Sequence, residues 1–152
     1  MSPERSGLYY MPNSAAVTSV TARFTTSGGV QRPGIVVYEV SGAATAPLDA
    51  GPVTSLVTAR QSSITSGLLT TTNANDILIF AVDLASNQSG TNNGFVPAAG
   101  FTFPLTGAGT NARQAVAFEI VSLTQTNVRT SMSWGTGSQS SASQFIAFKG
   151  AQ

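Results

Sequence analysis

The chain has 152 residues, enough for one domain with a sizeable core, and its net charge is only +1. Charged residues make up 9% of it, where about 25% is usual, and the basic groups are scattered with no two adjacent. That composition speaks against disorder, which wants high net charge and low hydrophobicity, and against nucleic acid, which wants a concentrated basic face.

Several segments alternate apolar and polar residues with period two, the signature of a half-buried strand. The first expected strand covers residues 17–25, with Val20, Ala22 and Phe24 on one face and Thr21, Arg23 and Thr25 on the other. The second covers 35–40, β-branched and apolar around Tyr38 and Glu39. Residues 54–64 are the stretch most open to a helix, but their Thr and Ser content disfavours one. A Leu/Thr strand at 68–72 ends in the turn signal Asn73-Ala74-Asn75-Asp76. Residues 77–84 form a nearly continuous apolar run, suited to a strand buried on both faces. Further strands are expected at 114–121, 128–134 and 143–149.

Turn chemistry separates these runs: Ser27-Gly28-Gly29, Gln31-Arg32-Pro33-Gly34, Pro47 through Gly51-Pro52, Asn92-Asn93-Gly94 and Gly135-Thr136-Gly137. The polar stretch 86–94 reads as an exposed loop. The expected fold is an all-β, antiparallel two-sheet β-sandwich, jelly-roll-like, of seven or eight strands. Residues 1–152 make one domain, with 1–13 as an extended arm. The apolar runs are strand-sized, far below the roughly 20 residues of a membrane-spanning helix.

The chain has neither histidine nor cysteine, which removes imidazole bases, thiolate nucleophiles and the usual zinc ligands. The remaining acid–base groups are Glu4, Glu39, Asp49, Asp76, Asp83, Glu119, the tyrosines and Lys149. Glu39 and Glu119 would make a glycoside-hydrolase pair if their strands lay side by side. The plainer reading makes each an exposed strand charge. Lys149 reads as a solvated end of the last strand rather than half of a Ser-Lys dyad. No nucleophile elbow or phosphate loop is present.

Asp83 with Asn87, Asn92 and Asn93 supplies hard oxygen atoms of the kind Ca2+ takes, without EF-hand spacing. A polar loop is the simpler account of them. Trp134, Tyr9, Tyr10 and Tyr38 are the aromatics available as a platform for a glycan. A lone Trp in a sandwich is more often core.

The order of segments carries a resemblance. Tyr9-Tyr10-Met11-Pro12-Asn13, then Ile35-Val36-Val37-Tyr38-Glu39-Val40-Ser41-Gly42 and Pro47-Leu48-Asp49, resembles a jelly-roll-like β-sandwich module of bacterial secreted and cell-surface proteins. The run from Thr70-Thr71-Thr72-Asn73 to Ile77, then Gly100-Phe101-Thr102 and the closing 145–149 strand, agrees in position. The resemblance implies an extracellular module without catalytic residues. In that family more strands precede the Tyr9 segment, so the resemblance implies a sandwich short of its N-terminal strands.

Unpaired strand edges invite another strand. The leading expectation is therefore a non-enzymatic extracellular or cell-surface structural, adhesive module that forms a homo-oligomer through strand edges, with residues 2–13 as a donated strand. A carbohydrate-binding module, the Glu39/Glu119 hydrolase and a viral coat-type jelly roll are the alternatives.

Overall fold

The segment after Asp76 alternates Leu78, Phe80, Val82 and Leu84 with Ile77, Ile79, Ala81 and Asp83, so a strand there presents two largely apolar faces. The computed structural model of the chain describes residues 7–24, 34–91, 94–104, 108–135 and 139–151, with backbone alone for 86–91 and 108–112. It contains seven strands: β1 (Ala43–Gln61), β2 (Ser63–Thr65), β3 (Asp76–Thr91), β4 (Phe95–Pro97), β5 (Ala108–Val121), β6 (Ser131–Trp134) and β7 (Gln139–Gly150). They form two antiparallel sheets, one in the order β1-β7-β3-β5 and the other in the order β2-β6-β4.

The pairings show how the chain is wound. β1 pairs with β7, β2 with β6 and β3 with β5, as along the two arms of one long hairpin. Coiling that hairpin brings β3 beside β7 and β4 beside β6. This is the jelly-roll winding, in which a double ribbon wraps into two facing sheets. The two sheets are the β-sandwich that the alternation predicts.

The core lies between them. From the larger sheet come Leu78, Phe80, Val82 and Leu84 of β3, Phe145 and Ala147 of β7, and Ala115 and Ala117 of β5. The smaller sheet answers with Ile64, Phe95, Met132 and Trp134. Phe80 and Phe145 are direct cross-strand partners and meet edge to face, their ring centroids 5.9 Å apart.

β7 is buried on both faces from Ser141 to Phe148. Its second face, with Ile146 and Phe148, looks away from the sandwich interior toward the N-terminal segment. Tyr10 meets the Phe148 ring at a centroid distance of 5.1 Å, and the Asn13 amide donates to the Thr45 carbonyl at 3.0 Å. Gly34 lies against Gln114 of β5.

Several expectations need correction. Residues 17–24 and 35–40 form no strand: both are extended and largely exposed, outside any ladder. Residues 54–61 belong to strand β1: 53–57 pair in register with β7, Val53 and Val57 pack against the core, and Thr54 and Leu56 are exposed. The expected 68–72 strand reduces to one bridge, Leu69 to Val128. Residues 86–91 are not a loop but the continuation of β3, paired with Ala108–Ala112 of β5. The Pro47 to Pro52 stretch bulges β1 rather than ending it. At Gly51, with φ +88, a Cβ would stand 2.6 Å from the Phe145 carbonyl, so the bulge requires glycine there. The turn signals at 27–33, 92–93 and 136–137 lie outside the described residues.

Truncation at the centre of this core separates packing from surface. Phe80→Ala is expected to cost about 3–5 kcal/mol in denaturant unfolding, by leaving a cavity between the sheets. Ile120→Ala, at a side chain 75% exposed, is expected to stay within about 0.5 kcal/mol of the parent.

Candidate functional site

The residues expected to bind ligands do not converge. Trp134 is 4% exposed, held in the core opposite Phe95, so its indole offers no platform for a sugar. The physical reason is its place: the side chain points with Met132 into the space between the sheets. Tyr9 is 93% exposed, Tyr10 rests on Phe148, and Tyr38 is half-buried, its hydroxyl pKa raised by that burial.

Asp83 sits within β3, paired with Gln114 and Ala142, and Asn87 lies further along the same strand. Asn92 and Asn93 lie outside the described residues. Among the described residues no group of three or more metal-binding side chains occurs. Glu39 belongs to no strand, so the cross-strand pairing that would set it opposite Glu119 does not form. Glu119 instead lies over Gly100, where a Cβ would stand 2.5 Å from its Oε1.

A different set of side chains does converge, at the end of the sandwich where β1, β7 and β3 lie side by side. Leu48 pairs with Phe148 and Ala50 with Ala147, which leaves Asp49 as the extra residue of a bulge in β1. A bulge re-aims the side chain it carries. Lys149 and Asp76 are direct cross-strand partners on β7 and β3, so they project from the same face. The result brings together one lysine and two aspartates from three adjacent strands. Lys149 Nζ stands 3.8 Å from Asp49 Oδ1; the Asp49 side chain is 0% exposed and that of Lys149 35%.

The turn before β3 closes the site. Thr72 donates to Asp49 from both its backbone N–H, at 2.6 Å, and its hydroxyl, and the Asn73 N–H donates at 3.2 Å. The Asn73 side-chain amide donates to Asp76 Oδ1 at 2.9 Å. Asp76 is 1% exposed, and its Oδ2 is buried with no donor reaching it.

The two carboxyls are pushed apart. Burial alone would raise Asp49, but the hydrogen bonds from Thr72, Asn73 and Asp76 outweigh it and hold its pKa below the ordinary value. Burial raises Asp76, and the hydrogen bond and charge of Asp49 add to that, against the Asn73 amide and Lys149. Burial and the neighbouring Asp49 thus both favour the protonated form of Asp76. The site brings two carboxyls whose pKa values are pushed in opposite directions within reach of one lysine, shielded from water on the carboxyl side.

No family model, no curated protein and no solved structure matches the chain.

The sequence names Asp49, Asp76 and Lys149 as titratable groups but does not bring them together. Two signals pointed the right way: an aspartate inside a strand run broken by Pro47 and Pro52, and the Thr72-Asn73 turn placed just before an apolar strand. The expected solvated Lys149 is corrected to a half-buried lysine paired with Asp49.

Thr72→Val removes a hydroxyl that donates to a buried charge. It is expected to lower stability by about 1.5–3 kcal/mol, read from the shift in the denaturant midpoint at constant slope.

Proposed function

We propose that this chain is a non-enzymatic structural module of adhesive type, working outside the cell or at its surface, that self-associates through strand edges. One observation carries the reading. Two segments with strand-like sequence, 17–24 and 34–40, stand in no ladder, and the 19-residue β1 is an edge strand among the described residues.

Among the described residues β1 pairs with β7 on one side and has no strand on the other. It is long, most of its positions are apolar or small, and Leu56 is 61% exposed. Long open edges of this kind template pairing with another chain unless something blocks them. In the N-terminal segment Val17, Val20, Phe24, Ile35, Val37 and Val40 are exposed to between 40% and 56%. An extended segment that adds to a free edge satisfies its own backbone and buries such side chains at once. The other edge of the larger sheet is less open, since Thr102 bridges to Phe118 of β5. The neutral polar surface and the resemblance to bacterial surface modules support the extracellular placement.

The reading supposes that residues 17–24 of one copy act as the arm that pairs with β1 of the next, which makes either closed dimers or open chains. Light scattering over a concentration series is expected to show dimers or larger species. Leu56→Lys with Val20→Lys, which puts charge on both the edge and the arm, is expected to return the protein to monomers. A parent chain that stays monomeric at high concentration overturns the proposal.

A further inference from the structure

The Asp49–Asp76–Lys149 site has more chemistry in it than an ion pair needs. A surface ion pair contributes little and needs no third group. Here a second carboxyl is buried beside the first, with an oxygen that no donor reaches. The three groups come from the three neighbouring strands β1, β7 and β3, so the sheet itself fixes their relative positions.

We propose that Lys149 and Asp49 join through an amide bond between their side chains, formed by the folded protein itself, with Asp76 as the acid that moves the protons.

The geometry supports each requirement. The amine is 3.8 Å from the carboxyl it would attack, held there by strand pairing. Such placement replaces a bimolecular encounter by an intramolecular one. The carboxyl side of the site is dry: Asp49 has no exposed side-chain surface and Asp76 is 1% exposed. Lys149, 35% exposed, leaves a path by which water can depart.

The steps balance without an oxidant or any other reactant. The ammonium of Lys149 first gives a proton to Asp49, leaving three neutral groups. The Nζ lone pair then adds to Asp49 Cγ, and an N–C bond forms while Asp76 protonates the carboxyl oxygen. The new N–H proton returns to Asp76. Asp76 passes it to one of the two hydroxyls, the C–O bond breaks and one water leaves, and the remaining hydroxyl returns its proton to Asp76 as the amide carbonyl forms. Amine and carboxylic acid become amide and water, and Asp76 ends protonated as it began. Thr72 and Asn73, which donate to the Asp49 oxygens, hold the carboxyl and stabilise negative charge that develops on it.

The inference does not rest on self-association, and the two fail separately. Its test is the intact mass of the purified, refolded full chain, measured under denaturing conditions, followed by peptide mapping. The expected mass is lower than that of the sequence by one water, and digestion is expected to yield one branched peptide joining position 49 to position 149. Lys149→Arg keeps the charge and the ion pair but cannot form this bond, and is expected to show the full mass. Asp76→Ala is expected to keep its β-sheet circular dichroism and to show the full mass as well. A folded parent chain of full mass overturns the proposal. So does a lost water that maps within a single linear peptide, as a cyclised aspartate would give. An Asp76→Ala chain that still cross-links overturns the role given to Asp76.

Discussion

Burial of β7 on both faces is the constraint on which the rest of the architecture depends. One face closes the core against the smaller sheet through Phe145 and Ala147, and the other, through Ile146 and Phe148, needs a cover of its own. A strand in that position must have neighbours on both edges, and it has β1 and β3. It draws the first strand of the sandwich to the last. It also draws the N-terminal segment across the outer surface, where Tyr10 reaches Phe148. The hydrophobic effect therefore does two separate jobs along one strand: closing the sandwich and recruiting the arm.

The polar cluster at the end of β7 is the electrostatic counterpart. Taking a carboxylate out of water costs several kcal/mol, and partial pairing with a half-exposed lysine does not offset that alone. The Thr72 and Asn73 donors make up the difference, and they are in place because the turn before β3 folds back over the β1 bulge. Bulge, turn and cross-strand pair come from sequence positions far apart, yet each is useless to the site without the other two. The raised pKa of Asp76 beside the lowered one of Asp49 eases the crowding of two carboxyls into a space that would not hold two negative charges.

Much of the sandwich was legible in the residues. The alternation in 77–84 and 114–121, and the apolar closing run of 143–149, marked β3, β5 and β7, because strands that carry the core have to show their faces. The same rule misled at 17–25 and 35–40. Val20, Ala22 and Phe24 alternate as a strand would, but alternation reports faces and says nothing of whether a ladder partner exists. Residues 54–61 were hard for the opposite reason: polar Ser55 is the more buried of its pair with apolar Leu56, which is exposed, and that breaks the apolar-in, polar-out alternation. Residues 86–91 looked like a loop from composition, whereas their pairing with β5 is a main-chain matter to which side chains contribute little. For the site, chemistry named the groups and topology joined them. Nothing in the spacing of Asp49, Asp76 and Lys149 along the chain announces that three adjacent strands will bring them to one end, because a bulge at Asp49 is needed to aim it.

The chain enters and leaves the sandwich at one corner. Ala43 pairs with Gly150, and the Ala151 N–H donates to the Gly42 carbonyl at 2.7 Å. Tension between the two flanks of the domain would therefore not shear β1 along β7. It would peel the two strands apart from that corner, loading their hydrogen bonds one after another, the weakest way to hold a pair of strands. Asp49 and Lys149 stand close to where such a tear begins, and Asp49 is tied at the same moment to Thr72 and Asn73 on a different segment. Whatever joins them, ion pair or covalent bond, acts as the rivet at the end of a seam: it sets the force at which the module starts to open.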